Sequence, residues 1–157
     1  REIRRGAAEA LGWIGDPSTV GPLHALLFSD SDLHVLGSVI FSLGQLRDPG
    51  VVDTLCRFLE HSDPVVRGCA ARALGYIADP RAVQPLCQRL LATSAFLVSS
   101  PHEWISKHIL KERELAAEAL GKIGRESLGP LTRLTTCGQP DVQEIATGLI
   151  AKIAAVA

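Results

Sequence analysis

Methionine is absent from this chain of 157 residues, and aromatic side chains make up only 4% of it. A core without bulky rings has to be filled by closely packed Ala, Leu, Val and Ile, and the hydrophobic share of 46% is far above what a disordered chain carries. An excess of either charge is also missing. Sixteen Lys and Arg against 17 Asp and Glu leave a net charge of −1, interleaved along the chain, which speaks against nucleic acid as a partner. No apolar run approaches the ~20 residues that cross a bilayer, so no membrane span is expected. The first residues, REIRRGAAEALG, contain no apolar core of a signal peptide. None of the four cysteines stands in a CxxC or zinc-type spacing. Cys56 and Cys87 share one place in LCRFL and LCQRL. They read as small half-buried thiols of a reducing compartment, which gives a cytoplasmic expectation with no disulfide, metal or cofactor. The lack of methionine, with a first residue that falls mid-repeat, leads to the expectation of a single domain, 1–157, cut from a longer chain.

What the chain does have is repetition. Leu-Gly recurs at Leu11-Gly12, Leu43-Gly44, Leu74-Gly75 and Leu120-Gly121, in steps of 32, 31 and 46 residues. Asp-Pro recurs in phase at Asp16-Pro17, Asp48-Pro49 and Asp79-Pro80. A period in the low thirties marks a solenoid, whose units bury their apolar faces only against one another. The expected fold is all-α, a right-handed α-α superhelix of four to five helical hairpins. Each unit reads as a first helix after Asp-Pro, a turn, and a second helix ending at Leu-Gly. Asp is a good N-cap and Pro suits the first helical turn, so the break is chemically consistent.

Taken in order, the chain opens inside a second helix near Glu2 to Ile14, with Ile3, Ala7, Ala10, Leu11 and Ile14 on one face to be buried. Ser29 to Asp32 and His61 to Pro64 are turns. The helix from Asp32 to Leu46 is apolar almost all round. Pro22, Pro85 and Pro130 share one place in the first helices, which should therefore bend or begin in a tighter coil. The 46-residue step leaves a surplus of about fifteen residues near 93–108, read as a loop broken at Pro101. Its Phe96, Leu97, Val98 and Trp104 have no place in the repeat; they pack over the solenoid edge or meet a partner. The final helix, with IATGLIAKIAAVA, is apolar on nearly every face and is a possible route to self-association.

Written out, the unit is (V/I)-R-x-x-A-A-x-A-L-G-x-I-x-D-P-x-x-V-x-P-L, strongest at VVRGCAARALGYIADPRAVQPL and IRRGAAEALGWIGDPSTVGPL. It resembles HEAT-like repeats of the phycobilisome (PBS) lyase type. The resemblance implies an armadillo-like α-solenoid and a ladder in which an Arg of each second helix reaches the Asp of the following break. Arg4 with Asp16 and Arg67 with Asp79 fit that ladder. Leu36 interrupts it opposite Asp48, and Arg113 would meet Arg125. The iron-dependent hydroxylases of this family use repeated His-Glu pairs; the one such pair here, His102-Glu103, is out of phase, so that activity is rejected.

Second helices line the concave face of such a solenoid. Glu9, Phe41, Arg72, Glu118 and Gly148 stand before the repeated Leu. Four residues on, on the same helix face, stand Trp13, Gln45, Tyr76, Lys122 and Lys152. Trp13, Phe41 and Tyr76 fall on three successive units, in places the repeat leaves facing solvent. Aromatic anchors beside Arg72 are the residue types that dominate interfaces. The reading adopted is a non-catalytic scaffold gripping a protein or peptide through Trp13, Phe41, Gln45, Arg72, Tyr76, Glu118 and Lys122, with Trp104 of the surplus segment. The bland counterpart is that the rings tilt onto neighbouring helices and complete the inner layer. The alternative function, implied by the resemblance, is a subunit of a bilin lyase or lyase-isomerase that holds a tetrapyrrole against a phycobiliprotein. His34, Ser38 and Ser42 share a helix but have no carboxylate to orient the His, so no catalytic set is expected.

Overall fold

The computed structural model describes the backbone of residues 1–99 and 103–156, and the side chains there except at 94–99 and 105. Among the described residues all regular structure is helical. The second helices are α1 (Glu2–Ile14), α3 (Leu33–Leu46), α5 (Pro64–Ile77), α7 (Glu103–Ile123) and α9 (Pro140–Val156). The first helices are α2 (Val20–Ser29), α4 (Val52–Phe58), α6 (Val83–Ser99) and α8 (Leu128–Leu134), each preceded by one turn of 3-10 helix.

The corners follow from local chemistry. Asp16, Asp48 and Asp79 lie in extended backbone and accept the N–H groups of Ser18, Gly50 and Arg81 at 2.9, 2.7 and 2.9 Å. The proline that follows opens the 3-10 turn, where its missing N–H costs nothing. Pro22, Pro85 and Pro130 then stand third in α2, α6 and α8, so the tighter start is observed. Helix α4 carries Thr54 in that place and α8 follows Gly124–Ser127, which has no Asp-Pro, and both have the same 3-10 start; neither the third-place proline nor Asp-Pro is indispensable to it.

Each first helix folds back on the second helix of its hairpin, and the second helices α1, α3, α5 and α7 pack side by side. Neighbouring first helices meet more sparsely, so the stack has a tight inner layer and a spread outer one. Leu23, Leu43, Leu55, Leu74, Leu86, Leu120 and Leu131 are fully buried between the layers, each contributing about 1.5–3 kcal/mol relative to exposure. The glycine of Leu-Gly lets the inner helices close up. A Cβ on Gly12, Gly44 or Gly75 would lie 2.6, 2.6 or 2.9 Å from its nearest neighbours in Ser42, Ala73 and Ala119. Those three small residues share one register position, and Ser42 also donates from Oγ to the Ala8 carbonyl at 2.8 Å.

Three sequence expectations need correction. The set Ile3, Ala7, Ala10 and Ile14 is not buried: Ile3 is 88% and Ile14 68% exposed, and both alanines are exposed. Leu11 of that face is half-buried against the core, and the opposite face of α1, through Ala8 and Gly12, is covered. The surplus residues mostly lengthen the two arms of a hairpin instead of forming a loop, with α6 running to Ser99 and α7 starting at Glu103. The side chains of Phe96, Leu97 and Val98, together with Pro101 and His102, lie outside the described residues.

The arginine ladder is also different. Arg4 Nε donates to Asp30 Oδ2 at 2.6 Å and Arg113 Nη1 to Asp141 Oδ2 at 2.6 Å. Arg67 makes a two-bonded pair with Glu112, at 3.0 and 2.8 Å, and also caps the carbonyls of His61 and Ser62. Asp16 and Asp48 serve as corner caps, and Asp79 pairs with Arg81 besides capping. The reason is geometric. A helical side chain leans toward the helix N-terminus, so an Arg seven residues ahead of the repeated Leu reaches back toward the neighbouring unit on that side, away from the break that follows its own helix. The aspartate of the break lies twelve residues on, about 18 Å along the axis. Where Leu36 replaces the Arg, Val66 stands where Glu112 and Asp141 stand in later units, and both are in the core.

Candidate functional site

The open face of the inner layer carries the stripe. Trp13 is 75% exposed at the end of α1, while Phe41 on α3 and Tyr76 on α5 are half-buried. Phe41 and Tyr76 meet edge to face, with centroids 6.1 Å apart and planes at 75°. The ammonium of Lys122 on α7 stands 4.4 Å from the Tyr76 ring centre and 2.8 Å from Glu118 Oε1, a pairing that holds the Glu118 carboxyl below its ordinary pKa. Phe41, Tyr76 and Lys122 thus form a continuous run across three units, with contact geometry worth about 0.5–1.5 kcal/mol for each ring pair beyond area burial.

Beside the run lies a groove of about 420 Å³ across α1, α3 and α5, lined by Glu9, Trp13, Phe41, Cys69 and Arg72 among others. Ser38 Oγ donates to Glu9 Oε1 at 2.9 Å on its floor. Arg72 is exposed in this groove and makes no ion pair among the described residues. The Cys69 thiol is pushed up by burial, so it is a protonated, unreactive wall. A smaller recess between α5 and α7 is shared by Arg72, Cys69, His108 and Lys111. Trp104, 59% exposed, lies over the His108 ring at 4.2 Å, one turn further out on α7. A third hollow of about 520 Å³ separates α7 from α9 and takes in Glu118, Lys122, Lys152 and Ile153.

The candidate residues therefore do not form one pocket. Trp13, Phe41 and Arg72 share the first groove, Tyr76 and Lys122 continue it, Glu118 leads into the α7–α9 hollow, and Trp104 stands to one side. Gln45 lies half-buried in the same run, its Oε1 without a hydrogen-bond partner among the described residues. Sequence reading missed Leu33, His34, Ser38, Val65 and Cys69 as groove residues. Continuing the stripe one and two turns toward the helix N-termini, at the same helical spacing, would have found them. Of His34, Ser38 and Ser42, Ser42 is buried and donates to the Ala8 carbonyl, Ser38 is half-buried and donates to Glu9, and His34 is exposed. Among the described residues no group of three or more His, Cys, Asp and Glu could hold a metal ion, and no helix is long and apolar enough to cross a membrane.

Comparisons with known proteins agree with the geometry. The PBS lyase HEAT-like repeat matches residues 3–29. Among solved structures the chain is similar to one from the complex of CpcE and CpcF of phycocyanin lyase from Nostoc sp. PCC7120. The two share 24% identity at a TM-score of 0.71, over 98% of this chain and 60% of that one. The likeness is one of fold, and this chain spans about 60% of the solved chain's length. No curated protein matches the sequence significantly. The HEAT repeats family matches residues 22–101, about half of the chain, and with the Leu-Gly stacking described above this solenoid belongs to the HEAT-repeat family.

Proposed function

We propose that this chain is a lyase-type subunit that binds another protein along its inner face, through Trp13, Phe41, Arg72, Tyr76 and Lys122. The observation that carries the reading is the aromatic and cationic run across α1, α3, α5 and α7. It leaves an exposed tryptophan and an exposed arginine, with no ion pair among the described residues, at a groove of about 420 Å³. Exposed aromatic surface beside an arginine is the composition of interface hot spots. The PBS lyase-type repeat and the fold likeness to a phycocyanin lyase complex favour a lyase subunit over a scaffold of unspecified kind. Among the described residues no catalytic set comes together, and the part read for the chain is to hold and orient a partner.

The test is co-purification of the chain with an apo-phycocyanin subunit, with and without phycocyanobilin. Trp13→Ala and Arg72→Ala are clean probes, because both side chains are exposed and their loss leaves helicity unchanged. Tyr76→Ala is a poorer one, since truncating a half-buried ring costs about 1–2 kcal/mol of stability as well. Binding that both clean variants abolish supports the reading; binding that survives in both overturns the groove. An enhanced, shifted bilin absorption band on mixing supports the lyase assignment. Its absence at micromolar protein leaves the general scaffold as the better description.

A further inference from the structure

The exposed face of α1 repeats a buried face of the same molecule. Ile3, Ala7, Ala10 and Ile14 occupy the register of Val66, Ala70, Ala73 and Ile77 on α5. On α5 the first three are completely buried, and the face turns toward α3, whose Gly44 would place a Cβ 2.6 Å from Ala73 Cα. The same position turns toward the preceding second helix throughout: Ser42 toward Gly12, Ala73 toward Gly44, Ala119 toward Gly75. On α1 that position is Ala10, and it is open.

We propose that this face of α1 receives a further solenoid hairpin, stacked in the register in which α3 meets α5. The residues specify its second helix. Opposite Ala10 it carries glycine, since a side chain there would hold the helices apart. Near Ile3 it carries a leucine like Leu36, which shares the core with Val66 at the corresponding register. A second copy of this chain does not meet the requirement. Its Gly12, Gly44 and Gly75 are already covered by its own helices, and Gly121 faces Leu149. Its α9 has Ile150 at the glycine position.

The test joins a copy of residues 31–63 directly ahead of Arg1, so that an α3–α4 pair leads into α1 as it leads into α5. The extended chain is expected to melt about 5 °C or more above the original. Ala10→Leu is expected to remove that gain while leaving the unextended chain within about 1 °C, because Ala10 is exposed there. No gain, or a gain that survives Ala10→Leu, overturns the proposal. Sedimentation of the unextended chain supplies a second arm: a concentration-dependent dimer that Ala10→Leu disrupts makes a second copy the occupant and also overturns it.

Discussion

Gly44 and Ala73 approach so closely that a methyl group on the glycine would stand 2.6 Å from the alanine Cα. The neighbour is backbone, so only a movement of α3 away from α5 can relieve it. Gly44→Ala gains up to about 1 kcal/mol in helix propensity and incurs about 1–3 kcal/mol of overpacking, for an expected net loss near 1 kcal/mol. Gly6→Ala, at an exposed position with nothing within 4 Å, should instead gain about 0.5–1 kcal/mol. Urea denaturation of the two variants checks the pair. A Gly44→Ala protein as stable as the parent would show that glycine is not what sets the spacing.

Glu112 is 1% exposed and pairs with both Arg67 and Arg89, the latter donating from Nε and Nη2 at 3.0 and 2.9 Å. Removing the carboxylate leaves two arginines on α5 and α6 without their common anion. Glu112→Ala is therefore expected to cost about 3–5 kcal/mol, whereas Arg4→Ala, at a pair whose arginine is half exposed, should cost about 1 kcal/mol. Similar costs for the two variants would mean that burial does not distinguish these pairs.

Acid should loosen the corners. The Ser18 N–H holds Asp16 below its ordinary pKa of 3.8; the Arg81 guanidinium does so for Asp79, and that of Arg4 for Asp30. A depressed carboxylate stabilises the fold above its unfolded pKa and ceases to as pH falls through the lower folded value. The melting temperature should therefore stay level from pH 7 to 5 and fall below about pH 4. Asp79→Asn keeps an N-cap residue while removing the titration, so it should flatten part of that fall. A melting temperature constant down to pH 2 would contradict the assignment.

Much of this could be read from the residues because it is local. Asp-Pro fixes the first three corners through bonds spanning two residues, and Leu-Gly fixes the phase of the inner helices. The direction of the arginine pairs was not legible in spacing alone, since it depends on how a side chain leans along the helix. Arg4 and Asp16 look matched in the sequence and lie too far apart in the fold. The exposure of Ile3 and Ile14 was hidden for another reason: their pattern is that of a buried face, and only the stack reveals that no described helix covers it. Within the stripe, position predicted that Trp13, Phe41 and Tyr76 share the inner surface. Which ring stays open depended on what each neighbour brings to its edge, as Lys122 does for Tyr76.

The long arm formed by α6 and α7 has an arithmetic of its own. Helix α7 has 21 residues where α3 and α5 have 14. The extra seven are close to two helical turns, about 10 Å of added reach. The added turns lie ahead of Arg113 and Ala119, whose contacts with Asp141 and Gly75 are set by their own spacing on the packed part of the helix. Over generations such an arm can therefore lengthen or shorten at its tip without disturbing the body that carries it.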